Sequence, residues 1–147
     1  MDPGDIDLRN VTYQLFVDLG RAPTVDEVVE SSGSNRELVE SAWRRLHEHH
    51  ALVLDRDGKS LRMANPFSAV PTPYRVLVGG RWWFANCAWD AFGICAALRS
   101  DGRIETACAD CGEAISVEVR DELPSDDSLV FHCLVPASAW WEDIAFT

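Results

Sequence analysis

Three prolines, Pro66, Pro71 and Pro73, fall within eight residues of the stretch NPFSAVPTPYRV. Proline fixes φ, has no backbone N–H to donate and drives the residue before it out of the helical region. No helix can run through this stretch. It divides the 147-residue chain into two parts whose hydrophobic periods differ. The expected organisation is one unit over residues 1–65 and a second over residues 66–147.

The first part carries helical signals. DLRNVTYQLFVDLGR spaces Val11, Leu15, Phe16 and Leu19 along a helix. Thr24 and Glu27 form a capping-box pair, and Gly33 is a stop signal. Ser34 and Glu37 make a second such pair, ahead of a stripe of Leu38, Ala42 with Trp43, and Leu46. Ala51–Leu54 and Ser60–Met63 then read as a hairpin turning at DRDGK. Three helices followed by a hairpin is the pattern of a winged helix.

The second part reads mainly as strands. YRVLVGGRWWFAN is strand, Gly-Gly turn and strand, and a helix follows from Cys87 to about Leu98. RIETACAD and EAISVEVRD flank a CADCGE turn, with Ile115, Val117 and Val119 alternating against Ser116 and Glu118. DELPSDDS reads as a polar loop and LVFHCLVPA as a further strand, and the apolar IAFT reads as the start of another. The class is α+β: a winged-helix-like unit followed by a small mixed-sheet domain with one or two helices.

Composition narrows the functions. With 47% hydrophobic residues the chain can build a core. No apolar stretch reaches the roughly 18 residues that span a bilayer. The acidic start MDPGDIDLRN lacks the apolar region of a secretory signal. The expected compartment is the cytoplasm. The net charge is −11, with 8 basic and 12 acidic residues up to Asn65 and 5 and 12 after it. Binding to nucleic acid needs a basic face, so DNA is not the expected partner, and the winged helix reads as scaffold. The third helix does carry Arg36, Arg44 and Arg45, but among Glu37, Glu40 and Glu48. Nothing in the sequence sets an oligomeric state.

Five cysteines, an odd number, disfavour a disulfide framework and point to thiol chemistry or metal binding. Cys87 and Asp90 are three apart in the apolar run NCAWDAFGICAA, hence on one helix face. Asn86 is a suitable N-cap, which places Cys87 in the first turn, where the helix dipole favours a thiolate. A carboxyl in apolar surroundings tends to keep its proton. The stretch therefore reads as a soft nucleophile or metal ligand beside a proton carrier. The competing reading is a buried structural cysteine with Asp90 paired to Arg81. Cys108-Ala-Asp-Cys111-Gly112 is half of a zinc knuckle without a second pair, so His132, Cys133 or Cys95 would have to complete a zinc site. A turn with two free thiols, or a redox pair, are the alternatives. On a strand, His132 and Cys133 would face opposite sides. His47 and His50 share the end of the third helix, in solvent.

FSAVPTPYRV, RWWFANCAWDAFGI, CADCGE and VFHCLVPASAWWEDIAFT together resemble the organomercurial lyase (alkylmercury lyase) family, and the resemblance covers nearly the whole chain. It implies an enzyme of mercury detoxification that breaks carbon–mercury bonds by protonolysis. Cys87 corresponds to the first mercury-binding thiolate and Asp90 to the proton carrier. The family's second mercury-binding cysteine lies near the segment that follows FT, so the resemblance implies a C-terminally shortened relative. Cys133 or Cys95 is then the candidate second thiol, Cys133 foremost. Cys108 and Cys111 become structural thiols. No cofactor is implied. The partners are an organomercury compound and free thiols, with Hg(II) as bound product. The alternatives are a non-catalytic mercury- or metal-binding relative, a winged-helix metal sensor, and a zinc-stabilised transcription factor.

Overall fold

The computed structural model describes residues 1–133 and 135–144. Three helices open the chain: α1 (Pro3–Leu19), α2 (Val25–Ser32) and α3 (Arg36–Glu48). Their ends follow the local chemistry. Asp2 caps α1, Gly20 and Gly33 close α1 and α2 in the left-handed conformation, and Thr24 with Glu27 makes the expected capping box. The second expected pair is displaced by one residue. Asn35, not Ser34, caps α3, accepting from the Leu38 N–H at 2.9 Å. The stripe shifts with it: Val39, Ala42, Trp43 and Leu46 are buried, while Leu38 is 54% exposed.

These faces meet in one apolar cluster of Leu8, Val28, Val39, Trp43, Leu46 and Leu52. Each large side chain buried here contributes about 1.5–3 kcal/mol. Trp43 brings a polar N–H into the core, and Thr12 satisfies it. The Trp43 Nε1–H donates to Thr12 Oγ1 at 3.0 Å, and the Thr12 hydroxyl donates to the Leu8 carbonyl at 2.7 Å. Asp5, buried at 3% exposure, is held by two hydrogen bonds from Arg45.

The hairpin follows as β1 (Val53–Leu54) and β2 (Leu61–Ala64), to which β3 (Phe67–Ser68) adds an unexpected third strand. Asp57 fixes the turn by accepting from the N–H groups of Lys59 and Ser60, both at 2.8 Å. Between β2 and β3 the Asn65–Pro66 peptide bond is cis.

A second sheet has the order β5-β4-β6-β7-β8, with β4 (Arg75–Val78), β5 (Arg81–Phe84), β6 (Gly102–Ala107), β7 (Ala114–Arg120) and β8 (Leu123–Pro124). Gly79 and Gly80 both have positive φ, as the tight β4–β5 turn requires. Helix α4 (Ala88–Leu98) connects β5 to β6 and lays Ala91, Ile94 and Cys95 on the sheet. The α+β class holds, but every strand pairing is antiparallel, not mixed. Hairpins join β4 to β5, β6 to β7 and β7 to β8, and a hairpin makes antiparallel neighbours. DELPSDDS contributes the short edge strand β8, so it is not wholly loop.

The expected strand over LVFHCLVPA is absent among the described residues. Residues 129–133 are irregular and exposed, Val130 at 90%. A strand needs a ladder partner, and residues 129–133 pair with none of the described strands. The chain returns instead through a 3-10 helix, Ala137–Glu142, whose Trp141 stacks on His50 at 4.0 Å. His50 stays exposed at the helix end, as expected, with one face of its ring against Trp141. The expected strand start at IAFT falls on residues 145–147, outside the described residues.

Candidate active site

The start of α4 carries the expected pair, built differently from the sequence reading. The N-cap is Cys87 itself, in extended conformation ahead of Ala88; Asn86 lies outside the helix. The backbone N–H groups of Asp90 and Trp89 face the Cys87 sulfur. The thiol stands at the cap position without making a side-chain capping hydrogen bond.

Asn86 has a different task. Its Nδ2 donates to Asp90 Oδ2 at 2.9 Å, to Asn65 Oδ1 at 3.1 Å and to the Pro66 carbonyl at 3.4 Å. These acceptors decide which way the amide faces. The β2–β3 connection is thereby tied to the carboxyl on α4. A sequence reading had one signal for this, an Asn four residues before the acid, but helix-capping propensity points the same residue elsewhere.

Burial sets the protonation of both groups. It pushes the Cys87 thiol above the ordinary cysteine value. The amides of Asp90 and Trp89 pull down, while the charges of Asp90 and Cys133 add to the rise. The expectation that the helix start favours the thiolate is therefore reversed by desolvation. Burial also raises Asp90, against the pull of the Asn86 hydrogen bond. The carboxyl is biased towards holding a proton, as its apolar setting suggested.

The apolar surroundings are not those nearest in sequence. Trp89 and Phe92 are 66% and 41% exposed. The shielding comes from distant elements around a cavity of about 420 Å³ lined by Cys87 and Asp90. Met63 and Tyr74 line it on one side and Trp140, Trp141 and Ile144 on another. Arg81 does not pair with Asp90. Its Nη1 donates to the carbonyls of Val17 at 2.7 Å and Asp18 at 3.2 Å.

Cys133 lines the same cavity, and so does His132. The expected alternation of the two is lost with the strand, since an irregular chain can turn neighbouring residues to one side. Cys95 lies elsewhere: it is buried on the sheet face of α4, its sulfur 2.7 Å from where a Cβ on Gly102 would stand. Cys108 and Cys111 sit in the β6–β7 turn, and only Ala109 between them reaches the cavity. Among the described residues no group of three or more His, Cys, Asp or Glu side chains could hold a metal ion. Of the third-helix arginines, Arg36 pairs with Asp26 and Glu40, and Arg45 with Asp5.

The family model for alkylmercury lyase matches residues 67–147, the part that holds the cavity. The chain belongs to the alkylmercury lyase family. Among solved structures, the mercury-bound form of MerB2 superposes with a TM-score of 0.70 at 27% identity, over 86% of this chain. The chain spans 60% of that protein's length. No curated protein matches the sequence. Among the described residues of this family member, no helix is long and apolar enough to cross a membrane.

Proposed function

We propose that this chain cleaves carbon–mercury bonds by protonolysis, with Cys87 as the mercury-binding thiolate, Asp90 as the proton carrier and Cys133 as the second thiol. The observation that carries the reading is the convergence of these three side chains on one aromatic-walled cavity in a member of the alkylmercury lyase family. The mercury bound to MerB2, 27% identical, supports mercury as the atom this cavity receives.

The chemistry follows from the protonation states. The Cys87 thiol meets the mercury of an alkyl- or arylmercury cation. As the Cys87 S–Hg bond forms, the thiol proton passes to Asp90, whose raised pKa suits it to hold that proton. Cys133 then binds the same mercury and gives its proton to solvent. The carbon–mercury bond breaks, its electron pair stays on carbon, and Asp90 protonates that carbon. A hydrocarbon leaves, and Hg(II) remains between two sulfurs, a match of soft ion to soft ligands. Free thiols in solution then exchange it away. Every proton and electron pair is supplied by the chain and substrate, so the reading requires no cofactor. The reading needs no nucleic acid, in keeping with the net charge of −11. The cytoplasm, where free thiols abound, suits this exchange.

The test is hydrocarbon release from an arylmercury compound in excess thiol, wild type beside Cys87→Ser. Release that depends on Cys87 supports the lyase. A second reading, a mercury binder without turnover, is favoured by the exposure of Cys133. Stoichiometric Hg(II) retention with no hydrocarbon would identify it.

A further inference from the structure

Cys108 and Cys111 are absorbed neither by the core nor by the proposed reaction. They stand in a closed turn between β6 and β7. The Cys108 N–H donates to the Glu113 carbonyl at 2.8 Å, and the Gly112 N–H donates to the Cys108 carbonyl at 2.9 Å. Gly112 takes φ +74°, which permits the closure. A turn closed from the first residue to the fifth is one turn of helix, and its first and fourth side chains share a side. The two thiols stand close enough to interact. Both are free, Cys108 half-buried and Cys111 exposed. Ala109, inside the same turn, forms part of the cavity wall beside Cys87 and Cys133.

We infer that Cys108 and Cys111 form a second mercury site, a surface dithiol beside the cavity that receives Hg(II) from the interior thiols. The source of the ion rests on the proposed lyase reading; the binding itself does not. A four-ligand zinc site has no further ligands among the described residues. Hg(II) needs only two thiolates. The closed turn sets the Cys108 and Cys111 side chains on one side, as a two-coordinate ion requires. Transfer is ligand exchange. Each new S–Hg bond to Cys108 or Cys111 forms as one to Cys87 or Cys133 breaks, and the entering thiol's proton goes to the departing sulfur. Nothing is oxidised or reduced.

The full-length Cys87→Ser/Cys133→Ser chain isolates the site. It is titrated with mercuric chloride against a competing monothiol, and retained mercury is read by mass and by near-ultraviolet S–Hg absorption. One Hg(II) per chain is expected, with retention falling at least tenfold when Cys111→Ser is added. A double variant that holds no mercury overturns the inference, and so does undiminished retention after Cys111→Ser. The first arm leaves the turn intact, so it is decisive even if that turn tolerates no change. Hydrocarbon release by the wild type is measured separately. Retention at the turn without any release sinks the lyase reading and leaves this site standing.

Discussion

Cys87 and Cys108 are the same local device in two settings. Each sulfur has the backbone N–H groups of residues two and three positions ahead turned towards it, and each has an acid nearby, Asp90 or Asp110. Their thiols nevertheless shift in opposite directions, Cys87 up and Cys108 down. Cys87 lies in a cavity walled by aromatic side chains, where desolvation outweighs the amides. The Cys108 turn meets solvent, so the amides prevail. Backbone donors therefore tune a thiol only as far as burial permits. On the proposed reading, the cavity thiol surrenders its proton when mercury arrives, and the thiol of the turn receives the ion.

The largest test of this contrast is chemical. Cys87→Ala or Asp90→Asn should lower hydrocarbon release by about 100-fold or more. Wild-type turnover by either variant would remove the substituted group from the chemistry. Next in size is Gly102→Ala. A Cβ there stands 2.7 Å from Cys95 Sγ and 2.9 Å from Val78 Cγ2, so α4 must lift from the sheet. The cost should be about 1–3 kcal/mol in denaturant unfolding. Alkylation should quicken at Cys87 and stay unchanged at Cys108, because only the first rides on α4.

Asp90 offers a smaller effect on stability. Its folded pKa is raised, so its contribution to stability is fully present below the unfolded pKa and is lost as pH rises through the folded one. Asp90→Asn should therefore raise Tm at neutral pH, with the gain vanishing on acidification. A gain that grows towards acid would mean that the carboxyl is better placed as an anion. Cys111→Ser weakens the thiol partner of Cys108, and alkylation of Cys108 at neutral pH should slow several-fold. An unchanged rate would assign the thiolate entirely to the backbone amides. The smallest effect is expected from Asn86→Ala. Without its donor Asp90 rises further, so the acidic limb of the pH–rate profile should move to higher pH. An unmoved limb would reduce Asn86 to a tether between α4 and Asn65.

Much of the fold was legible before the structure. The capping box at Thr24, the Gly79–Gly80 turn and the alternation through Val117 and Val119 each depend on residues a few positions apart. Where two local signals competed, the choice was not legible. Ser34 and Asn35 both suit a cap, and burial of Val39 in place of Leu38 decides for Asn35. Asn86 and Cys87 posed the same ambiguity. Hydrogen bonds from Asn86 to Asn65 and Pro66, 21 and 20 residues away, pull it out of the capping role. The strand expected over residues 129–133 failed because alternation describes a chain that could pair, and whether it meets a partner is set by the path of the whole chain.

The sequence by itself determined the three N-terminal helices, the hairpin that follows them, the strands β4 to β7, the helix start that joins Cys87 to Asp90, and the pairing of Cys108 with Cys111 in one turn. These follow from spacing, caps and turn chemistry, which act over a few residues. Only the tertiary structure decided that Cys133 and His132 face the cavity of Cys87, that Cys95 does not, and that two similar cysteines titrate in opposite directions. Those outcomes rest on desolvation by side chains from β2, the β4 approach and the C-terminal segment. Solvent exclusion is a property of the assembled surface and is carried by no local stretch of chain.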